Sequence, residues 1–148
     1  MIAVVQRVSR AAVRVAGETV GAIGPGLLVL VAIERDDSGK HLDWLSGKVV
    51  EMRVFDDSDG RMNRSALDVG ADLLIVSQFT LAGDLSRGRR PGFERAAPPE
   101  AARALFDAFV ARLRTTPLKV ETGRFRERME VDLVNDGPVT FVLRPPVA

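Results

Sequence analysis

The chain has 148 residues, enough for one domain that buries on the order of two thirds of its unfolded surface. Apolar residues make up 46% and charged residues 28%, a globular composition that excludes a disordered or fibrous protein, and no apolar run reaches the roughly 18 residues that span a bilayer. A net charge of +1 is too balanced to announce a nucleic-acid binder by itself, and the absence of cysteine excludes disulfides, Cys-ligated zinc and a thiol nucleophile.

In chain order, "MIAVVQRVSRAAVRV" alternates and carries Arg7, Arg10 and Arg14 among its apolar residues. It reads as strand and not as a secretory leader, so a soluble, cytoplasmic protein is the expectation. "IAVVQRV" and "AAVRVAG" are predicted to pair as a hairpin, followed by "ETVGAIG" and a buried strand over 26–33. Leu42, Leu45, Val49 and Met52 then fall on one helical face, and Asp36, Asp37 or Ser38 can cap the start. "DDSDGRMNRS" (56–65) is a turn region and "DLLIVSQFTLA" (72–82) a very apolar strand. The loop "GDLSRGRRPGFERAA" has no period, and loops of that length in compact domains are functional or mobile.

A second helix is predicted over 98–114, with Pro98 and Pro99 in its first turn and Leu105, Phe106, Phe109, Val110 and Leu113 as its apolar stripe. "LKVETG", "MEVDLVND" and "PVTFVLR" complete the chain as strands. Repeats, low-complexity segments and linkers are absent. The pattern predicts an α+β protein over 1–148: one domain with a curved, barrel-like mixed β-sheet and two main helices packed against it.

Conventional catalytic signals are missing. His41, the only histidine, has no neighbour in sequence to orient it and reads as a surface residue. Carboxylates at metal spacing are lacking, so no metal site is expected. "DDSDG" fails as a calcium loop, since placing Gly60 sixth puts Phe55 first and Ala66 twelfth. "GAIGPG" has the wrong glycine order for a dinucleotide fingerprint.

What remains is a pair of polar interruptions of apolar strands. "SQFTL" (77–81) offers the hydroxyls of Ser77 and Thr80, the amide of Gln78 and backbone N–H groups suited to an oxyanion. "NDGPVT" (135–140) opens the last strand. Each reads either as a strand fraying into a loop or as part of a site. Two arginine clusters, Arg87, Arg89, Arg90 and Arg95 and then Arg124, Arg126 and Arg128, read either as solvated surface or as phosphate contacts.

Together, about sixty residues apart, the two motifs resemble the signature of the D-aminoacyl-tRNA deacylases, the D-tyrosyl-tRNA(Tyr) deacylase family. "MIAVVQRVSRAAVRVAGE", "IGPGLLVLVAI", "GRMNRS", "SQFTLAGDLSRGRRPGF", "LFDAFV" and "TGRF…MEVDLVNDGPVTF" are similar to family segments in the same order, so the resemblance spans nearly the whole chain. One departure is Gly92, where a serine is expected. The resemblance implies a cytoplasmic homodimer with its sites at the subunit interface. It implies hydrolysis of the ester between a D-amino acid and the terminal ribose of tRNA, action on mischarged glycyl-tRNA, and no cofactor.

It also implies residue roles. Ser77, Gln78, Phe79 and Thr80 hold the scissile ester and stabilise the oxyanion. Asn135, Gly137, Pro138, Val139 and Thr140 form the selectivity motif, whose Gly137–Pro138 bond is cis in the family and enters the partner's site. The two carbonyls of that bond face the substrate amino group, an L side chain meets a wall, and a D side chain points to solvent. Arg7 braces this loop or serves as a structural arginine in a hairpin. Phe125 and Met129 line the pocket or its dimer edge, or pack in the core. Arg87, Arg89 and Arg90 contact tRNA. Thr80 as a nucleophile lacks an evident base, which leaves positioning with the RNA hydroxyl and a water as the favoured chemistry. The alternative function is a non-catalytic tRNA- or RNA-binding module, which would want exposed aromatic residues on a sheet.

Overall fold

In the computed structural model, which describes residues 1–147, the opening segment is one strand, β1 (Ile2–Val15), and not the two arms of a hairpin. Ser9 and Arg10, both exposed, mark a register shift and not a turn. The turn comes at Ala16 and Gly17, whose φ angles of 50° and 80° are the left-handed pair of a two-residue hairpin. The chain returns as β2 (Glu18–Ile23) and then β3 (Gly26–Ala32), which pair antiparallel with Ala11–Val15 and Ile2–Val8 of β1 in succession.

Helix α1 (Gly39–Glu51) starts after Ser38 as its N-cap. His41, without a role in the sequence reading, accepts the Ser38 N–H on Nδ1 at 3.0 Å and so satisfies a group that the helix leaves unpaired. Leu42, Leu45 and Val49 are buried as the spacing predicts. The expected turn region forms most of a small hairpin, β4 (Phe55–Asp56) with β5 (Met62–Arg64), and a one-turn helix α2 (Ala66–Val69) follows it.

The apolar strand β6 (Asp72–Ser77) is shorter than predicted and gives way to a 3-10 turn over Phe79–Ala82. Gln78 breaks the strand: its N–H goes to Val31 O at 2.8 Å, and its own carbonyl begins the turn. Helix α3 (Pro99–Leu113) follows the long loop, and β7 (Val120–Thr122) pairs parallel with β6, as β6 does with β3. The last two predicted strands are a single one, β8 (Glu130–Leu143), which pairs with β1 from Ala3 to Arg14.

Alternation along the strands divides the core. Ala3, Val5, Leu27, Val29, Val31, Leu73 and Ile75 face α1 and α3 and bury Leu45, Val49, Phe106 and Phe109. Val8, Val13, Leu28, Leu74 and Val76 form a second cluster on the opposite face. The sheet curls until β2 meets β7: a Cβ on Gly21 would lie 2.4 Å from Thr122 O, so only glycine permits this near-closure. The result is the expected curved, mixed sheet in an α+β chain, with two main helices against it and α2 as an additional turn.

Candidate active site

Leu73, Leu74, Ile75 and Val76 are fully buried, and the chain that leaves them is polar. Ser77 and Gln78 are half-buried, Thr80 is exposed, and Phe79 is 57% exposed. The bonds of the turn begin with Leu81 N–H to Gln78 O at 3.1 Å and Gly83 N–H to Thr80 O at 3.0 Å. The N–H groups of Phe79 and Thr80 precede that ladder, as the first donors of any helical turn do. Two amides, the Ser77 and Thr80 hydroxyls and the Gln78 amide therefore lie in one short segment at a strand end, a set of groups suited to a carbonyl that gains negative charge. The Gln78 Nε2 donates to Thr80 Oγ1. A carboxamide cannot take a proton from an alcohol at neutral pH, so this neighbour does not activate Thr80 as a nucleophile.

Phe79 packs against Phe93 with ring centroids 5.0 Å apart, which ties the turn to the base of the arginine loop. That loop is latched where Asp84 and Gly92 exchange N–H···O bonds of 2.7 and 2.8 Å. The hydroxyl and N–H of Ser86 hold the Asp84 carboxyl below its ordinary value. Arg87, Arg89 and Arg90 project from it, all exposed. Gly92 is not required by space, since a Cβ there would sit 3.8 Å from Asp84 O, an ordinary contact.

The second motif is a bulge. Gln6 pairs with Thr140 and Val8 with Asn135, so Arg7 alone stands opposite Asp136, Gly137, Pro138 and Val139. The Gly137–Pro138 peptide bond is cis. Asn135 Nδ2 donates to Arg7 O at 2.9 Å and to Val139 O at 3.2 Å, stitching the two ends of the bulge together. Arg7 Nε donates to Asp136 O at 3.0 Å, Gln6 Nε2 to Thr140 Oγ1 at 3.2 Å, and Val139 is buried in the main core. Gly137 and Pro138 are left exposed at the tip. A Cβ on Gly137 would lie 2.4 Å from Val139 N and 2.6 Å from Asn135 Oδ1, so the bulge closes only around glycine.

The remaining predicted residues are dispersed. Phe125 follows β7, which runs beside β6 and leaves the sheet at the Ser77 end. Its ring meets Phe106 at 5.9 Å and carries the Arg103 guanidinium at 5.6 Å. A cleft of about 850 Å³ opens there between α3 and residues 122–127. Met129 packs with the second cluster. Val54, Asp56 and Asp136, which hold Arg7, were missed by sequence reasoning because no local pattern links them.

Within one chain the two motifs stand apart. Ser77 is level with Val31, Ala3 and Leu143, whereas the bulge is level with Arg7, four residues further along β1. Strand geometry makes that about 13 Å along the strands and, over three strand spacings, about 14 Å across them.

The fold and these motifs define a small α+β protein whose candidate site is made of backbone, hydroxyls and amides. The chain belongs to the D-Tyr-tRNA(Tyr) deacylase family, whose sequence model matches residues 4–144. The D-aminoacyl-tRNA deacylase of Symbiobacterium thermophilum is 59% identical over 141 residues, 95% of this chain and 93% of that one. The enzyme of the same name from Thermotoga petrophila is 55% identical over 143 residues, 97% of this chain and 96% of that one. A solved structure described as c-Myc DNA Unwinding Element Binding Protein is 41% identical, with a TM-score of 0.94 over 99% of this chain and 100% of its own. A probable eukaryotic D-amino acid tRNA deacylase, 20% identical with a TM-score of 0.83 over 96% of this chain and 97% of its own, shares the fold.

Proposed function

We infer that the protein hydrolyses the ester between a D-amino acid and the terminal ribose of tRNA, and removes glycine from mischarged tRNA at the same site. Family membership and the names of its relatives support this reading. The observation that carries it is the bulge: a clasped, projecting segment whose tip residue has no room for a side chain. Ser77, Gln78, Phe79 and Thr80 hold the ester, with the N–H groups of Phe79 and Thr80 as oxyanion donors. The neighbouring ribose hydroxyl and a water complete the reaction, since an aminoacyl ester is reactive once positioned.

Selectivity comes from exclusion. Gly137 and Pro138 form a wall against an L side chain, Asn135, Val139 and Thr140 hold that wall, and Arg7 braces it. Glycine, with no side chain, is admitted. The two motifs of one chain are too far apart to share a substrate, so the bulge serves the site of a second copy. The outer edge of β8 fits such a dimer: among the described residues it pairs with no strand, and Val134, Phe141 and Val142 are exposed on it. Arg87, Arg89 and Arg90 meet acceptor-end phosphates, Phe125 and Met129 border the site, and the cytoplasm, where tRNA is charged, is the setting. Among the described residues no helix is long and apolar enough to cross a membrane.

The test is release of amino acid from matched D-tyrosyl-, L-tyrosyl- and glycyl-tRNA with chelator present. Rapid loss of the D and glycyl esters with the L ester spared is expected. Thr80→Ala should keep D-ester hydrolysis within about tenfold of wild type, since one hydroxyl contact is worth about 1 kcal/mol; loss by a factor of thousands would make Thr80 the nucleophile. The exposed arginine loop, with a neighbour described as a DNA-element binding protein, favours a non-catalytic nucleic-acid-binding module as second reading. Binding of tRNA without turnover of any ester would establish it.

A further inference from the structure

The acidic stretch "FDDSDG" has no part in the ester-holding turn, yet its adjacent carboxylates are engaged in different directions. Asp57 folds the hairpin on itself, accepting from Asp59 N–H at 2.8 Å, Arg61 N–H at 3.1 Å and Asn63 Nδ2 at 3.3 Å. Asp56 turns outward to Arg7, with Oδ1 3.2 Å from Nη1. That same nitrogen donates to Val54 O at 2.8 Å. On the other side of the guanidinium, Nε donates to Asp136 O at 3.0 Å and lies 3.3 Å from Asp136 Oδ2. The Arg7 side chain, 11% exposed, is thus a strut between the β4–β5 hairpin and the bulge. Asn135 and Val139 secure the bulge only to β1 and to itself, or to the core beneath.

We propose that the β4–β5 hairpin is the mount of the selectivity bulge and that Asp56 is its positioning residue, setting through Arg7 where Gly137 and Pro138 stand. The inference rests on reading the bulge as the element that rejects L-aminoacyl esters. Without Asp56, the end of the guanidinium away from the bulge is held by the Val54 carbonyl alone; a second acceptor on Asp56 fixes that end of the fork to the hairpin. A pair whose carboxylate is half in solvent adds little to global stability, so its loss is read in geometry and not in unfolding.

Asp56→Asn removes the charge at constant size, and Asp56→Lys sets a like charge against Arg7. The D-to-L ratio of kcat/KM is expected to fall about threefold in the first and about tenfold in the second. D-ester hydrolysis and the thermal midpoint should stay near wild type, and Asp56→Glu should recover most of the ratio. The amides of Asp136, Gly137, Val139 and Thr140 should exchange with deuterium faster in the lysine variant, a readout independent of activity. An unchanged ratio in Asp56→Lys overturns the proposal, as does an equal loss on both esters with a lowered midpoint. If the wild type itself does not discriminate, the reading of the bulge as an L-rejecting wall fails, and the exchange measurement alone decides whether the hairpin mounts the bulge.

Discussion

At the scale of single residues, Gly137 is the position where the structure leaves least choice. A methyl group there collides with Val139 N and the Asn135 side chain, at 2.4 and 2.6 Å, and neither retreats without undoing a bond that closes the bulge. Gly137→Ala should therefore displace the tip by a few tenths of an ångström or more while leaving the core intact. If the tip is the wall against L side chains, the D-to-L ratio of kcat/KM falls at least about tenfold, the result of even a small misplacement at a reacting centre. Thermal melting should shift little, because the tip is exposed. Kinetics on both esters check this, and retained discrimination would remove Gly137 from the wall. The sequence makes this residue conspicuous, since a Gly-Pro at the mouth of an apolar strand needs a reason. It conceals why: the colliding groups come from positions 135 and 139 through a bulge that no periodicity announces.

At the scale of elements, legibility follows burial. β6 and α3 are plain in the sequence because Leu73 to Val76 are buried as one unbroken apolar run and Phe106, Phe109, Val110 and Leu113 are buried at helical spacing. β5 is invisible because Met62, Asn63 and Arg64 are all exposed, and three residues carry no alternation to read. β8 was split in two because four of its residues face one of β1, which breaks the count but not the strand. The β4–β5 hairpin owes its shape to a carboxylate, which gives it a pH dependence. The N–H groups of Arg61 and Asp59 hold the Asp57 carboxyl below its ordinary value of 3.8. A depressed value means that the ionised form is favoured in the fold. Its contribution is full above 3.8 and is lost as pH falls through the lower folded value. An NMR titration of the Asp57 carboxyl carbon should show a midpoint below 3.8, with the Asp59 and Arg61 amide shifts moving in step. A midpoint at or above that value would detach the hairpin from this charge.

At the scale of the whole molecule, the strand register bears on the proposal that the bulge of one copy serves the ester of another. Four residues along β1 and three strands across separate Ser77 from the bulge, a path that a single aminoacyl group does not span. If the pairing is between copies, selectivity should be transferable. Consider a heterodimer purified by two tags, one chain carrying Gly137→Ala and the other Ser77→Phe, which fills the half-buried end of β6 proposed to hold the ester. The Gly137→Ala homodimer is expected to hydrolyse both esters and the Ser77→Phe homodimer neither. In the heterodimer the only working ester-holding turn belongs to the first chain. If its wall comes from the second chain, that wall is intact, and D-selective hydrolysis returns. If each chain walls its own site, the working turn keeps the damaged bulge, and the heterodimer is as unselective as the Gly137→Ala homodimer. Hydrolysis of both tyrosyl esters measured on the purified heterodimer separates the cases. A selective heterodimer would also explain why both motifs escape the core logic that makes the rest of the chain readable: each would be shaped for a surface that its own chain does not contain.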